Sequence, residues 1–282
     1  MPTIHMRYPG GLAKAVTLSY DDAVQQDAQL IEILDKNGLK GTFNINTGLF
    51  APEGTIYPAG KNHRRMTESE AVRVFGGSGH EVAVHTVTHP YLEQLSQPNA
   101  TWEVLADKKR IEELFGGICR GMAYPYGTTS DMVVESLKTC GILYARTTNA
   151  SCSIEFPSDW LRLRPTCHHK APQLMEYADR LVNQTTKRSP WLLYVWGHTY
   201  EFDEQKNWDV IEKFAEFVGG KDDIWYATNI EIFEYAEAYG QLQFSASGDR
   251  VFNPTCRELF FYEFRKGKTY SVKPGETVEI EV

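Results

Sequence analysis

Short apolar runs alternate with longer amphipathic stretches over roughly the first 240 residues of this chain. Residues 16–20 read as a strand. In the stretch 23–37, Ala28, Leu30, Ile31 and Leu34 fall on one helical face, with Gly38 as a stop. Residues 41–45 read as the next strand, and Thr67-Glu68-Ser69-Glu70 opens a helix with a capping-box pattern. The rhythm continues with strands at 81–84, 121–124, 142–145, 192–196 and 224–228. Helices are expected at 130–140, near 208–217 and at 230–239. Repeated strand–helix units predict an α/β chain with a parallel sheet, and about seven strands favour a closed or nearly closed barrel. After Gly240 the pattern changes. Residues 241–282 lack a helix signal but carry alternating runs at 259–264 and 277–282, separated by turn signals at Ser247-Gly248-Asp249 and Pro274-Gly275. The expectation is a barrel over 1–240 and a small antiparallel β appendage over 241–282. The appendage would pack on the barrel or on a second subunit, which leaves a homo-oligomer open.

With 282 residues, 42% of them hydrophobic, the chain can bury a large core. Its formal net charge is -8, and its basic segments, Lys61-Asn62-His63-Arg64-Arg65 and Lys108-Lys109-Arg110, are short and flanked by acids or turn residues. They read as solvated surface, so no nucleic-acid partner is expected. The first nine residues carry no basic-then-apolar leader, and no apolar run is long enough to span a bilayer. A cytoplasmic protein without a membrane partner is the expectation. The five cysteines are widely spaced and odd in number, which points to reduced thiols rather than a zinc knuckle.

Chemistry concentrates at predicted strand ends. Asp21 and Asp22 close the first strand, and His85 and His89 follow the 81–84 strand. Two neutral imidazoles and one carboxylate make a zinc-like ligand set with open positions, and a second carboxylate is left over to move a proton. Adjacent side chains diverge on an extended backbone, so one aspartate can bind an ion while the other faces its water. The third cluster is Arg120-Gly121-Met122-Ala123-Tyr124-Pro125-Tyr126-Gly127. There Pro125 can aim the Tyr126 amide at a developing oxyanion, and Arg120 could hold Asp21 ionised. His198 ends the apolar strand Leu192-Leu193-Tyr194-Val195-Trp196-Gly197 and suits a general acid for a departing amine.

Taken in order, these clusters resemble the NodB-type polysaccharide deacetylases, the fourth carbohydrate esterase family. The resemblance is carried by Ser19-Tyr20-Asp21-Asp22, His85-Thr86-Val87-Thr88-His89, Arg120 with Tyr124-Pro125-Tyr126, and Trp196-Gly197-His198. It implies a distorted (β/α) barrel of seven strands and one divalent ion, usually zinc, on Asp22, His85 and His89. It also implies Asp21 as base, Arg120 as its tether, Tyr126 as oxyanion donor through its backbone, and His198 as acid. The family's Asp-Trp motif would fall at Asp159-Trp160, with Glu201, Asp203 and Glu231 as rival partners for His198. His168-His169 lies outside the family pattern and is expected to line the site rather than to ligate.

The reading that follows is a metal-dependent hydrolase removing N-acetyl groups from an amino sugar, with a carbohydrate as its substrate partner. Two alternatives differ in chemistry or class. The same barrel could cleave an O-acetyl ester or a cyclic amide or ureide, or it could be a catalytically silent carbohydrate binder.

Overall fold

The structure, a computed structural model, describes residues 3–281. Its centre is β2 (Lys14–Asp21), buried along its whole length. Side chains on a strand alternate between faces. Val16, Leu18 and Tyr20 point into the main apolar core, whereas Thr17, Ser19 and Asp21 point to the other face. This polar column explains why the run reads as only partly apolar and why it delivers Asp21 inward.

Parallel partners flank β2. They are β3 (Gly41–Ile45), β4 (Glu81–Val84), β5 (Gly121–Ala123) and β6 (Tyr144–Arg146) on one side, and β8 (Trp191–Gly197) then β7 (Cys167–His168) on the other. This seven-strand order, β6-β5-β4-β3-β2-β8-β7, curls into a half-closed barrel with β6 and β7 at its edges. A further parallel strand, β9 (Ile224–Tyr226), pairs with β2 through Lys14–Val16. Helices pack outside: α1 (Asp27–Lys36), α2 (Glu68–Phe75), α3 (Gln97–Phe115), α4 (Asp131–Thr139), α5 (Leu174–Asn183), α6 (Tyr200–Gln205), α7 (Asp209–Val218) and α8 (Asn229–Gly240). The capping box at Thr67 forms as the sequence implies, with Glu70 accepting from the Thr67 amide at 2.9 Å. Among the described residues no helix is long and apolar enough to cross a membrane.

The terminal segments form two small antiparallel sheets. One contains β10 (Gln243–Phe244), β11 (Arg250–Phe252) and β14 (Thr277–Glu279). In the other, β12 (Leu259–Glu263) lies between β13 (Lys268–Val272) and β1 (Ile4–Arg7). The N-terminal strand, unforeseen in the sequence, therefore pairs with the 241–282 segment, in register Ile4 with Glu263. Gly248 and Gly275 take φ values of 78° and 72° in the turns, conformations that side chains disfavour.

Glu81, at the strand ends opposite the candidate site, is half-buried, with Tyr144 Oη at 2.6 Å, Thr42 Oγ1 at 2.9 Å and the Ile230 amide at 2.9 Å from its carboxylate. Burial pushes its carboxyl from 4.5 up to about 7, against those hydrogen bonds. A carboxyl raised in the folded state favours folding at low pH and loses that contribution as pH rises through its folded pKa. Wild type should therefore lose stability between pH 4.5 and pH 7 through this group, and Glu81→Gln should lose less. Urea unfolding of both proteins on either side of that window checks this; parallel losses would refute it.

Candidate active site

Five strand ends converge at one mouth. Asp21 closes β2, His85 follows β4, Pro125 and Tyr126 follow β5, Arg146 closes β6 and His198 follows β8. Among the described residues seven non-glycine positions have positive φ, and five of them are here: Asp22, Ala23, Thr86, His89 and Tyr126. Such conformations persist only where the surroundings over-determine them, and they cluster at functional sites.

The backbone turns at Asp22 (φ 91°), so the two aspartates part. Asp21 is 2% exposed; its Oδ1 accepts from Asn44 Nδ2 at 2.9 Å and from Arg146 Nη2 at 2.5 Å, and its Oδ2 also pairs with Arg146. Burial would raise the Asp21 carboxyl, but Arg146, then His85 and His198, outweigh it and hold it below the usual carboxylate range. Asp21 is thus ionised and oriented. Asp22 contacts Arg65 Nη2 at 3.1 Å and His63 Nε2 at 3.2 Å. Burial opposes its ionisation too, but the His63 hydrogen bond and the Arg65 charge hold it well below its ordinary value.

His85 Nδ1 donates to the Ala123 carbonyl at 2.8 Å, which leaves the lone pair on Nε2. That atom lies 3.9 Å from Asp22 Oδ1 and 3.9 Å from Asp21 Oδ2. Burial pushes the imidazole down to about 4, so it is neutral and able to ligate. The His89 ring stands 4.8 Å from that of His85. Donor atoms of Asp22, His85 and His89 all lie within 4.8 Å of one another. Zinc sits about 2.0–2.2 Å from such N and O ligands, so an ion fits between two atoms separated like His85 Nε2 and Asp22 Oδ1. The tautomer, charge and donor set suit one divalent cation.

The position predicted for the tether of Asp21 needs correction. Arg120 precedes β5, at the far end of the strand, and pairs with Glu234 of α8. Its side chain is 37% exposed and far from the role. Arg146 supplies the guanidinium instead. It is the register partner of Ala123 on the neighbouring strand, fully buried, and lies 4.6 Å from the Trp196 ring centroid. The sequence reading ended that strand at Ala145, one residue short of it.

His198 Nε2 is 4.0 Å from Asp21 Oδ2, and its Nδ1 is 3.7 Å from Glu201 Oε2. Burial favours the neutral ring, but Glu201, Asp21 and Asp22 together raise its pKa. Glu201 is therefore the carboxylate beside His198. Asp159 pairs with Arg162, Asp203 with Arg64 and Glu231 with Lys40. Glu201 also meets His168 Nε2 at 3.1 Å, His169 Nε2 at 3.3 Å and Lys170 Nζ at 2.8 Å. His168, His198 and Glu201 thus form a second close donor group. However, the Lys170 amide donates to His168 Nδ1 at 3.1 Å, which puts the ring proton on Nε2, facing Glu201. The group is a cluster of charged and polar side chains around one carboxylate, which accepts from Lys170 Nζ at 2.8 Å and from the His198 amide at 3.3 Å. His169 stacks 4.2 Å from Phe202, and burial pushes it down to about 2. Its ring occupies the space a Cβ at position 197 would need, which accounts for the glycine in Trp196-Gly197-His198.

Tyr126 takes φ 58° directly after Pro125, and its half-exposed ring stacks on Tyr91 at 3.8 Å and meets His89 edge-on at 4.6 Å. His63 and Arg65 belong to a segment read from sequence as solvated surface, yet both turn toward Asp22. Residues 46–66, a connection longer than most, bring them there.

Residues 9–145 match the family model described as polysaccharide deacetylase. No curated protein matches the chain. Among solved structures, a family 4 carbohydrate esterase from Streptomyces lividans, in complex with acetate, aligns at 19% identity and TM-score 0.51, covering 77% of this chain and 93% of that one. A candidate polysaccharide deacetylase from Mycobacterium smegmatis aligns at 17% identity and TM-score 0.57, covering 85% and 96%. A family 4 pseudoenzyme from Bacillus anthracis aligns at 18% identity and TM-score 0.50, covering 81% and 68%. These likenesses show the shared fold. That an inactive protein shares it makes the residues at the mouth, not the barrel, the deciding feature.

Proposed function

Because residues 9–145 match the polysaccharide deacetylase family model, we propose that the chain is a metal-dependent hydrolase of that family removing N-acetyl groups from an amino sugar or its oligomers. The observation carrying this reading is the division of labour between the aspartates. Asp22 lies with His85 and His89, while Asp21 is ionised, held by Arg146 and Asn44, and faces the same space. A divalent cation on Asp22, His85 and His89, zinc being the best match to the donors, would polarise the acyl carbonyl and acidify a nearby water. Asp21 takes the proton from that water as it attacks the carbonyl carbon. The Tyr126 amide, turned by its left-handed backbone after Pro125, supports the charge developing on the carbonyl oxygen. His198, whose pKa Glu201 and the two aspartates raise against burial, gives a proton to the departing amine.

The acid role separates amide from ester cleavage. An amine anion is a poor leaving group, whereas an alkoxide needs less help. His198→Ala should therefore cut N-acetyl release from acetylated glucosamine oligomers about 10²–10⁴-fold and cut hydrolysis of an aryl acetate far less. Acetate release from both substrates by zinc-loaded protein tests this. Equal losses would remove the acid role, and exclusive ester activity in wild type would replace the amide reading.

A further inference from the structure

The loop that presents both histidines is strained; Asn46 Nδ2 donates to its His85 and Thr86 carbonyls and the Gly48 amide to its Val87 carbonyl, and the buried carboxylates that hold it come from α3. Thr86 (φ 69°) and His89 (φ 56°) are left-handed within four residues, and Thr86 is β-branched, the side chain that least tolerates this backbone. Two carboxylates of α3, Glu103 and Asp107, sit one helical turn apart and face this loop. They are 6% and 0% exposed. Glu103 accepts from the Thr88 amide at 2.9 Å and from Thr88 Oγ1 at 2.6 Å. Asp107 accepts from the His85 amide at 3.1 Å through one oxygen. Through the other it accepts from the Thr47 amide at 2.8 Å and Thr47 Oγ1 at 2.6 Å. The Val87 amide donates to the Glu103 carbonyl at 3.2 Å. Each of these α3 bonds ends on a backbone amide or on the Thr47 or Thr88 hydroxyl.

Buried carboxylates on the apolar side of a helix oppose packing unless their hydrogen bonds justify the burial. Here those bonds converge on residues 85–88 and on the turn beside them. We infer that Glu103 and Asp107 are positioning residues that hold the strained 85–89 loop with both imidazoles ready to ligate. This rests on the metal reading above for its consequence, but not for its geometry.

Three variants test it: Glu103→Ala, Glu103→Gln as the conservative partner, and Thr88→Val. The last removes the hydroxyl contact from an exposed position and so spares the helix. Zinc affinity by chelator competition should fall about 10–100-fold in Glu103→Ala, with Glu103→Gln and Thr88→Val intermediate. The visible spectrum of the cobalt-loaded protein should shift in the same order. Amide hydrogen exchange at 85–89 in metal-free protein should quicken in Glu103→Ala without change in β2 or β8. Wild-type affinity and spectrum in all three variants would overturn the inference, as would unchanged exchange at 85–89. A wild type that takes up no zinc would defeat the metal reading instead, and the exchange data would still decide this one. If Glu103→Ala does not fold, Thr88→Val carries the same comparison.

Discussion

Asp21→Asn is expected to keep its zinc and to lose turnover by about 10²–10⁴-fold, the contribution of a positioned general base. The amide can still accept from Asn44 Nδ2 and from Arg146, so the side chain stays in place. It cannot take a proton from water. Single-turnover acetate release, read beside zinc content, separates a chemical loss from a binding loss. Activity within tenfold of wild type would remove Asp21 from the base role.

Arg146→Met should have the second largest effect, on stability as well as rate. It removes the countercharge from a carboxylate that is 2% exposed, and breaking such a buried pair costs about 3–5 kcal/mol. The largest influence opposing burial of Asp21 would then be gone, leaving His85, His198 and the Asn44 hydrogen bond, so its carboxyl rises and the acidic limb of the rate profile moves to higher pH. Arg120→Met is the control. Its partner Glu234 also pairs with Arg257, and the Arg120 side chain is 37% exposed, so the loss should be about 0–1 kcal/mol with the rate profile unmoved. Urea unfolding and pH–rate profiles of the two variants compare them directly. Equal effects would return Arg120 to the site.

The contrast between those two arginines shows where the sequence was legible. The placing of Asp21, His85 and His198 at or just after the ends of β2, β4 and β8 could be read because apolar runs stop abruptly there. Arg120 was drawn into the site because it lies near Pro125 along the chain. In space, the residue beside the Pro-Tyr turn is Ala123, and the strand next to it brings Arg146 over that position. Register between strands 23 residues apart is a tertiary fact, and nothing local to Arg146 marks it. His63 and Arg65 were hidden for a similar reason. A short basic segment in a long connection looks like surface until the connection folds back over an acidic site.

Helix α3 is the clearest case of a missed element. It is the longest helix, 19 residues, yet no part of it was foreseen. Its buried face reads Ala100, Glu103, Val104, Asp107 and Ile111. Two carboxylates interrupt the apolar stripe by which helices are recognised, and they do so because that face grips the histidine loop. The β1 strand was missed on other grounds. Four residues paired across the whole chain with β12 leave too short a pattern to stand out. The C-terminal sheets were legible because their turns carry glycines at positions that demand them.

Zinc content after equilibration and desalting, compared between Asp21→Asn and His85→Ala, addresses the core of this account most directly. One equivalent retained in the first variant and none in the second is the predicted result. Loss of zinc from Asp21→Asn, or its retention in His85→Ala, would contradict the assignment of ligand and base.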